Sequence, residues 1–167
     1  MSSAGDTADP SLTSTISVPI GGFATASREG SLRTFLGSCV GLAVYERRLK
    51  LAGLAHVVLP TAPAKSSLPG KYADSAVPAL IAALTSLAAG RRLQLTARLV
   101  GGAKMFAFQT GPTVGEQNVQ ALEKALSLAG IPVVSRDCGG GKGRRMTLEA
   151  ANGQITIETL GSEPKYL

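Results

Sequence analysis

Leu36-Gly37-Ser38-Cys39-Val40-Gly41-Leu42-Ala43-Val44-Tyr45, a charged break at Glu46-Arg47-Arg48, and then Leu51-Ala52-Gly53-Leu54-Ala55-His56-Val57-Val58-Leu59-Pro60 is the stretch that decides the fold. Two apolar runs rich in β-formers flank a short polar interruption, which is the pattern of a β-hairpin. Centring the hairpin between Arg47 and Arg48 sets Cys39 opposite His56, the only histidine of the chain. Directly opposed residues share a sheet face, with Cβ atoms about 4.5–5.5 Å apart. A slip of one residue places them on opposite faces, so the expectation is one of register.

Working outward, a first strand is predicted over 17–23, stopped by Gly21-Gly22. A proline- and serine-bearing loop follows the hairpin at 61–70. Asp74 is positioned to cap a helix that runs to Ala89 and stops at Gly90. Leu80, Ile81, Leu84 and Leu87 form its apolar stripe, and Pro78 falls near its first turn. A strand is predicted over 93–100. Thr113-Val114-Gly115-Glu116 reads as a capping box for a second helix, with Val119, Leu122, Leu126 and Ala129 inward. Gly130 and Pro132 end it. Strands over 133–135, 145–150 and 154–160 close the chain, the last two joined by an Asn152-Gly153 turn. Seven strands and two helices predict an α+β fold, a layered α/β sandwich with mixed or antiparallel sheets and the two main helices on one side.

The length of 167 residues fits one domain with a real core. We expect a disordered leader at 1–14, a single domain at 15–162 and a C-terminal tail at 163–167. Hydrophobic residues make up 44 % of the chain and charged residues 17 %, which excludes overall disorder. No apolar run is long enough to cross a membrane as a helix, and no basic-apolar signal opens the chain, so membrane insertion is not expected and a cytoplasmic setting is. The net charge of +6 admits an acidic partner. Aromatics do not interleave with the basic clusters, which argues against nucleic acid. In a reducing setting Cys39 and Cys138 are expected to stay free thiols. One histidine and two distant cysteines are too few ligands for a zinc site, so neither metal nor cofactor is expected.

Cysteine and histidine side by side permit nucleophilic chemistry at a carbonyl. Imidazole takes the thiol proton, sulfur attacks, and the imidazolium protonates the leaving amine. Backbone N–H groups near Gly37 and Ser38 are candidates to receive the oxyanion. Thr34 and Ser38 are the nearest polar groups able to orient the base. By spacing alone a buried structural cysteine and a satisfied core histidine are the more common arrangement. Cys138, in Asp137-Cys138-Gly139-Gly140-Gly141-Lys142-Gly143, does not follow a phosphate-loop pattern and reads as part of a tight loop.

Further blocks narrow the choice. Leu36-Gly37-Ser38-Cys39-Val40 and Ala55-His56-Val57-Val58-Leu59-Pro60 are followed by Gly70-Lys71-Tyr72-Ala73-Asp74 and Gly101-Gly102-Ala103-Lys104-Met105-Phe106. Then come Gly115-Glu116-Gln117-Asn118-Val119, Asp137-Cys138-Gly139-Gly140 and Gly143-Arg144-Arg145. In this order the blocks resemble the CheD family, chemoreceptor glutamine deamidases of bacterial and archaeal chemotaxis. The resemblance implies a layered α/β sandwich and hydrolysis of glutamine side chains on methyl-accepting receptors to glutamate and ammonia. It also implies a nucleophile at Cys39, a base at His56 and a third catalytic member, a threonine a few residues before the cysteine, for which Thr34 is the candidate. Such proteins commonly bind a CheC-type phosphatase, so a mainly regulatory partner role is the alternative. An acidic receptor segment as substrate makes Lys71, Tyr72, Lys104 and Arg144 candidate binding residues, on a chain expected to act as a monomer.

Overall fold

A computed structural model describes residues 14–106 and 110–167. The leader expected at 1–14 lies outside the described residues except for Ser14, whose carbonyl accepts a hydrogen bond from the Ser31 amide. Ten strands and two α-helices follow one another as β1 (Thr15–Ser17), β2 (Phe23–Ser27), β3 (Ser31–Leu36), β4 (Val40–Glu46), β5 (Leu51–Val57), α1 (Ala73–Ala88), β6 (Leu95–Gly101), α2 (Val114–Leu128), β7 (Val133–Cys138), β8 (Arg144–Glu149), β9 (Ile155–Glu158) and β10 (Lys165–Tyr166).

The strands form two five-stranded sheets, one in the order β1-β3-β8-β9-β10 and one in the order β2-β5-β4-β6-β7. Both are mixed: β1 and β3 run parallel, as do β6 and β7, and the other pairings are antiparallel. Both helices cover the second sheet, giving the α+β sandwich expected from the sequence. Two apolar layers result. Leu42, Val44, Ala55, Val57, Leu80, Leu84, Leu99, Leu122 and Leu126 pack between that sheet and the helices. Leu32, Leu36, Ala43, Tyr45, Leu54, Met146, Leu148, Ile155 and Ile157 pack between the two sheets. Strands β4 and β5 are buried along their whole length, because both of their faces are covered.

The structure corrects several sequence-based expectations. The single strand expected over 17–23 is two short strands around a turn, and β3 has no counterpart in the sequence reading. The 4–5 hairpin pairs Glu46 with Leu51 and Gly41 with His56. Its loop is therefore four residues long, closed by Lys50 at φ +51°. The register differs from the expected one by two residues. A shift of two keeps every side chain on its face, so Cys39 and His56 still share one. Helix α1 starts at Ala73 with Tyr72 at its cap, and the Asp74 carboxylate accepts the Ala62 amide at 2.9 Å instead. Pro78 is then the sixth helical residue, beyond the first turn. Leu87 points outward, 40 % exposed, and Ala76, Val77 and Ala88 complete the buried face. The capping box of α2 forms as expected, Thr113 and Glu116 each accepting the other's amide. Its inward positions are Gly115, Asn118, Leu122 and Leu126, while Val119 is half-buried and Ala129 exposed. Within the tail set apart at 163–167, Lys165 and Tyr166 extend the first sheet as β10.

Candidate active site

Strands β3 and β4 belong to different sheets, and Gly37-Ser38-Cys39 is the link that crosses between them. Two amides at the end of β6 hold this link. Gly102 donates to the Cys39 carbonyl at 2.8 Å and Ala103 to the Gly37 carbonyl at 2.9 Å. Gly101, at φ +108°, makes this possible: a Cβ there would stand 2.5 Å from the Cys39 carbonyl oxygen. A trans peptide points its N–H opposite its carbonyl. With the Gly37 carbonyl turned toward Ala103, the Ser38 N–H faces the other way. Cys39 is half-buried against the layer between the sheets.

His56 sits on β5 with both backbone groups occupied. Its amide donates to Gly22 at 2.9 Å and its carbonyl accepts from Gly21 at 3.1 Å. The ring enters the layer between the sheets and is 2 % exposed. There Nδ1 lies 2.8 Å from Thr34 Oγ1, and the same hydroxyl donates to the Val18 carbonyl at 2.9 Å. A hydroxyl has one proton. Since Thr34 spends it on Val18, it accepts from His56, and Nδ1 carries the imidazole proton. The Nε2 lone pair is left as the basic site. Thr34 can do this because Leu32, Thr34 and Leu36 form the inward edge of β3, whereas Arg33 and Phe35 alternate to the other face. Opposite His56, Gly41 leaves space that Met146 fills: a Cβ on Gly41 would collide with the Met146 sulfur.

Cys39 lies just before β4 and precedes Gly41 by two, so continuing the β4–β5 register sets it diagonal to His56 rather than directly opposite. Diagonal positions lie about 7–8 Å apart at the backbone, within reach of a ring-bearing side chain. Burial alone pushes the Cys39 thiol above its ordinary pKa and holds His56 below its own. Both shifts favour the neutral pair at neutral pH.

The other candidates divide. Lys71 is half-buried with its ammonium 5.6 Å from the centre of the Tyr72 ring. Tyr72 is itself buried at the start of α1. Lys104 is exposed, and its amide donates to Gly140. Arg144 is committed inside the protein: Nη1 meets the Asp137 carboxylate at 2.5 Å and the Asp137 carbonyl at 2.6 Å, and Nη2 meets the Gly139 carbonyl. It clamps the glycine-rich loop. Cys138 ends β7 beside Gly101, on the strand next but one to β4, with its thiol 3.4 Å from the Leu99 carbonyl. Burial, the largest cause, pushes it up to about 11. Both cysteines are free thiols.

Two contributors escape the sequence reading. The Val18 carbonyl that fixes Thr34 leaves no sequence signal. Asn118 does leave one, as a polar residue four positions before Leu122 on an inward helical row. It is fully buried and donates to the Val58 carbonyl at 2.9 Å, anchoring the chain just past His56 to α2. Beside the Cys39 link, Phe35, Gly37, Arg145, Glu158 and Leu160 line a cavity of about 690 Å³.

The family model for CheD chemotactic sensory transduction matches residues 58–159, beginning two residues past His56. A Clostridium botulinum protein named "Probable chemoreceptor glutamine deamidase CheD" is 40 % identical over 152 residues, covering 87 % of this chain and 93 % of the relative. A protein of the same name from Methanococcus vannielii is 41 % identical over 154 residues, covering 91 % and 99 %. The chain belongs to the CheD family. Among the described residues no helix is long and apolar enough to cross a membrane.

Proposed function

We propose that this chain hydrolyses glutamine side-chain amides on chemoreceptors to glutamate and ammonia, with Cys39 as nucleophile, His56 as base and Thr34 orienting the base. The observation that carries the reading is the Val18–Thr34–His56 hydrogen-bonded chain, which leaves Nε2 as the acceptor on the face shared with Cys39. The family and the names of its relatives supply the substrate class.

The thiol starts protonated. His56 Nε2 takes its proton as sulfur bonds to the amide carbon. The Ser38 N–H, turned away from β6, is the candidate donor to the oxygen as charge develops there, with the Gly37 amide beside it. The imidazolium then gives its proton to the amide nitrogen, the C–N bond breaks, ammonia leaves and a thioester remains. Water attacks the thioester, losing a proton to His56, and the C–S bond breaks. Glutamate departs and Cys39 regains its proton. Thr34 holds the ring through the cycle, since Nδ1–H donates to it in both the neutral and the charged form. The cavity beside Gly37, with Arg145 in its lining, is where we place the receptor segment, and Lys71 and Lys104 remain candidate surface cations for the substrate.

Co-expression with a chemoreceptor followed by peptide mass spectrometry tests this. The wild-type chain converts specific glutamines to glutamate, and Cys39→Ala does not. Conversion undiminished by Cys39→Ala refutes the assignment. A chain that mainly holds a CheC-type phosphatase would bind it in both forms and convert no glutamine in either.

A further inference from the structure

A large cavity lies far from Cys39. It is a hollow of about 1030 Å³ at the opposite end of the second sheet, where β4 finishes at Glu46 and β6 begins at Leu95. Cys39 and Glu46 are seven residues apart along an extended strand, which separates the two ends by roughly 20 Å. The walls are of two kinds. Ile81, Leu93, Leu95 and Ile131 give an apolar floor, and Arg47, Arg48, Arg91 and Arg92 give a guanidinium rim. A smaller hollow continues from it through Arg48 and Arg91 and adds Arg28, Lys50 and Glu29. Six cations and two carboxylates line the pair. All six cations are exposed, while Glu46 is 1 % exposed and turned inward, accepting the Arg48 and Gln94 amides.

The turns around this end are also held in unusual backbone conformations. Arg28, Lys50 and Ala89 are the non-glycine residues at positive φ among the described residues, and all three sit in these turns. The Arg28 amide donates to the Lys50 carbonyl at 2.9 Å, tying two of the turns together. Such conformations are costly and persist where the surrounding structure imposes them.

We propose that this hollow is a docking site for an amphipathic, acidic helix of a second protein, distinct from the catalytic end. Charge complementarity selects the carboxylates, and the recessed apolar floor selects a hydrophobic face between them. The hollow lies at strand ends and offers no open ladder edge, so an extended peptide gains no sheet hydrogen bonds there, whereas a helix brings its own. No aromatic side chain lines it, so nucleobases find no stacking platform. Occupancy leaves the Cys39 end open, so a partner and a receptor can be held at once.

Fluorescence anisotropy with a short labelled helical peptide, leucine on one face and glutamate on the other, tests the site on the full chain. The peptide binds wild type and Cys39→Ala alike, and binding weakens with added salt. The double variant Arg47→Glu/Arg92→Glu loses affinity at least about tenfold, with unchanged circular dichroism and unchanged deamidation of a receptor peptide. Replacing the peptide's leucines by serine, or its glutamates by lysine, abolishes binding to the wild-type chain. The proposal is overturned if the leucine–glutamate peptide does not bind, if the double variant binds it equally, if the serine peptide binds as well, or if single-stranded DNA binds more tightly.

Discussion

At the scale of the residue, the pair that matters is two neutral groups brought together by burial, not a ready-made ion pair. The Cys39 thiol is raised and His56 lowered, each by loss of solvent. On the proposed mechanism the thiol ionises only as it attacks, with His56 as general base. Alkylation by iodoacetamide in a Cys138→Ser background should accelerate with pH up to and past the ordinary thiol range. A rate plateau near neutral pH would instead mean a preformed thiolate–imidazolium pair. In the proposed mechanism Thr34 acts through His56, whose ring it touches. Thr34→Val strands both the Val18 carbonyl and the His56 Nδ1–H inside the protein, at a cost of about 1–3 kcal/mol. We expect kcat to fall by about two orders of magnitude with KM little changed, and Thr34→Ser to restore most of it. A Thr34→Val enzyme with full kcat would remove Thr34 from the mechanism. At this scale the sequence was legible in part. Cysteine and histidine stand out as the only such pair near a turn, but nothing local says whose hydroxyl meets the ring. That contact joins β3 and β5, which belong to different sheets.

At the scale of the element, the hairpin register shows why a wrong alignment can keep a right face. Its loop is four residues rather than the two of a centred turn, and the slip of two preserves the side-chain alternation. β2 and β3 were harder to read. Phe23–Ser27 is mostly Ala, Thr and Ser, which carry little apolar signal, and in Ser31–Leu36 the exposed Phe35 blurs the alternation of Leu32, Thr34 and Leu36. Helix α1 yields a prediction of its own. Pro78 is exposed and in the second turn, so it denies the Asp74 carbonyl an amide partner. Pro78→Ala should stabilise the protein by about 1–3 kcal/mol, read as a higher midpoint in urea unfolding. An unchanged or lower midpoint would mean that proline's restriction of the unfolded chain outweighs the lost hydrogen bond.

At the scale of the whole molecule, the two ends of the second sheet differ in character. One end carries the Gly37–Cys39 crossing and the His56 ring, the other a cationic hollow. Burial of His56 between the sheets couples the site to global stability. Its native pKa is depressed, so the unfolded chain binds the proton first as pH falls. The contribution of His56 is complete above the unfolded value of about 6.5 and is lost as pH drops through the depressed native value. Denaturation midpoints should therefore decline below about pH 6.5, and a His56→Gln variant should show a shallower decline. An equally steep decline in both would assign the acid sensitivity to other groups. Local sequence was enough to read the fold class, the two helices with the α2 capping box and the Asn152-Gly153 hairpin, and it singled out Cys39 and His56 as candidates. These depend on local periodicity, turn chemistry and scarcity of residue types. Packing across the layers was needed to reveal the partner of the His56 ring and its tautomer, the inward commitment of Arg144 and the cationic hollow. Each of those depends on side chains far apart in the chain meeting across packed layers, and no local pattern encodes such a meeting.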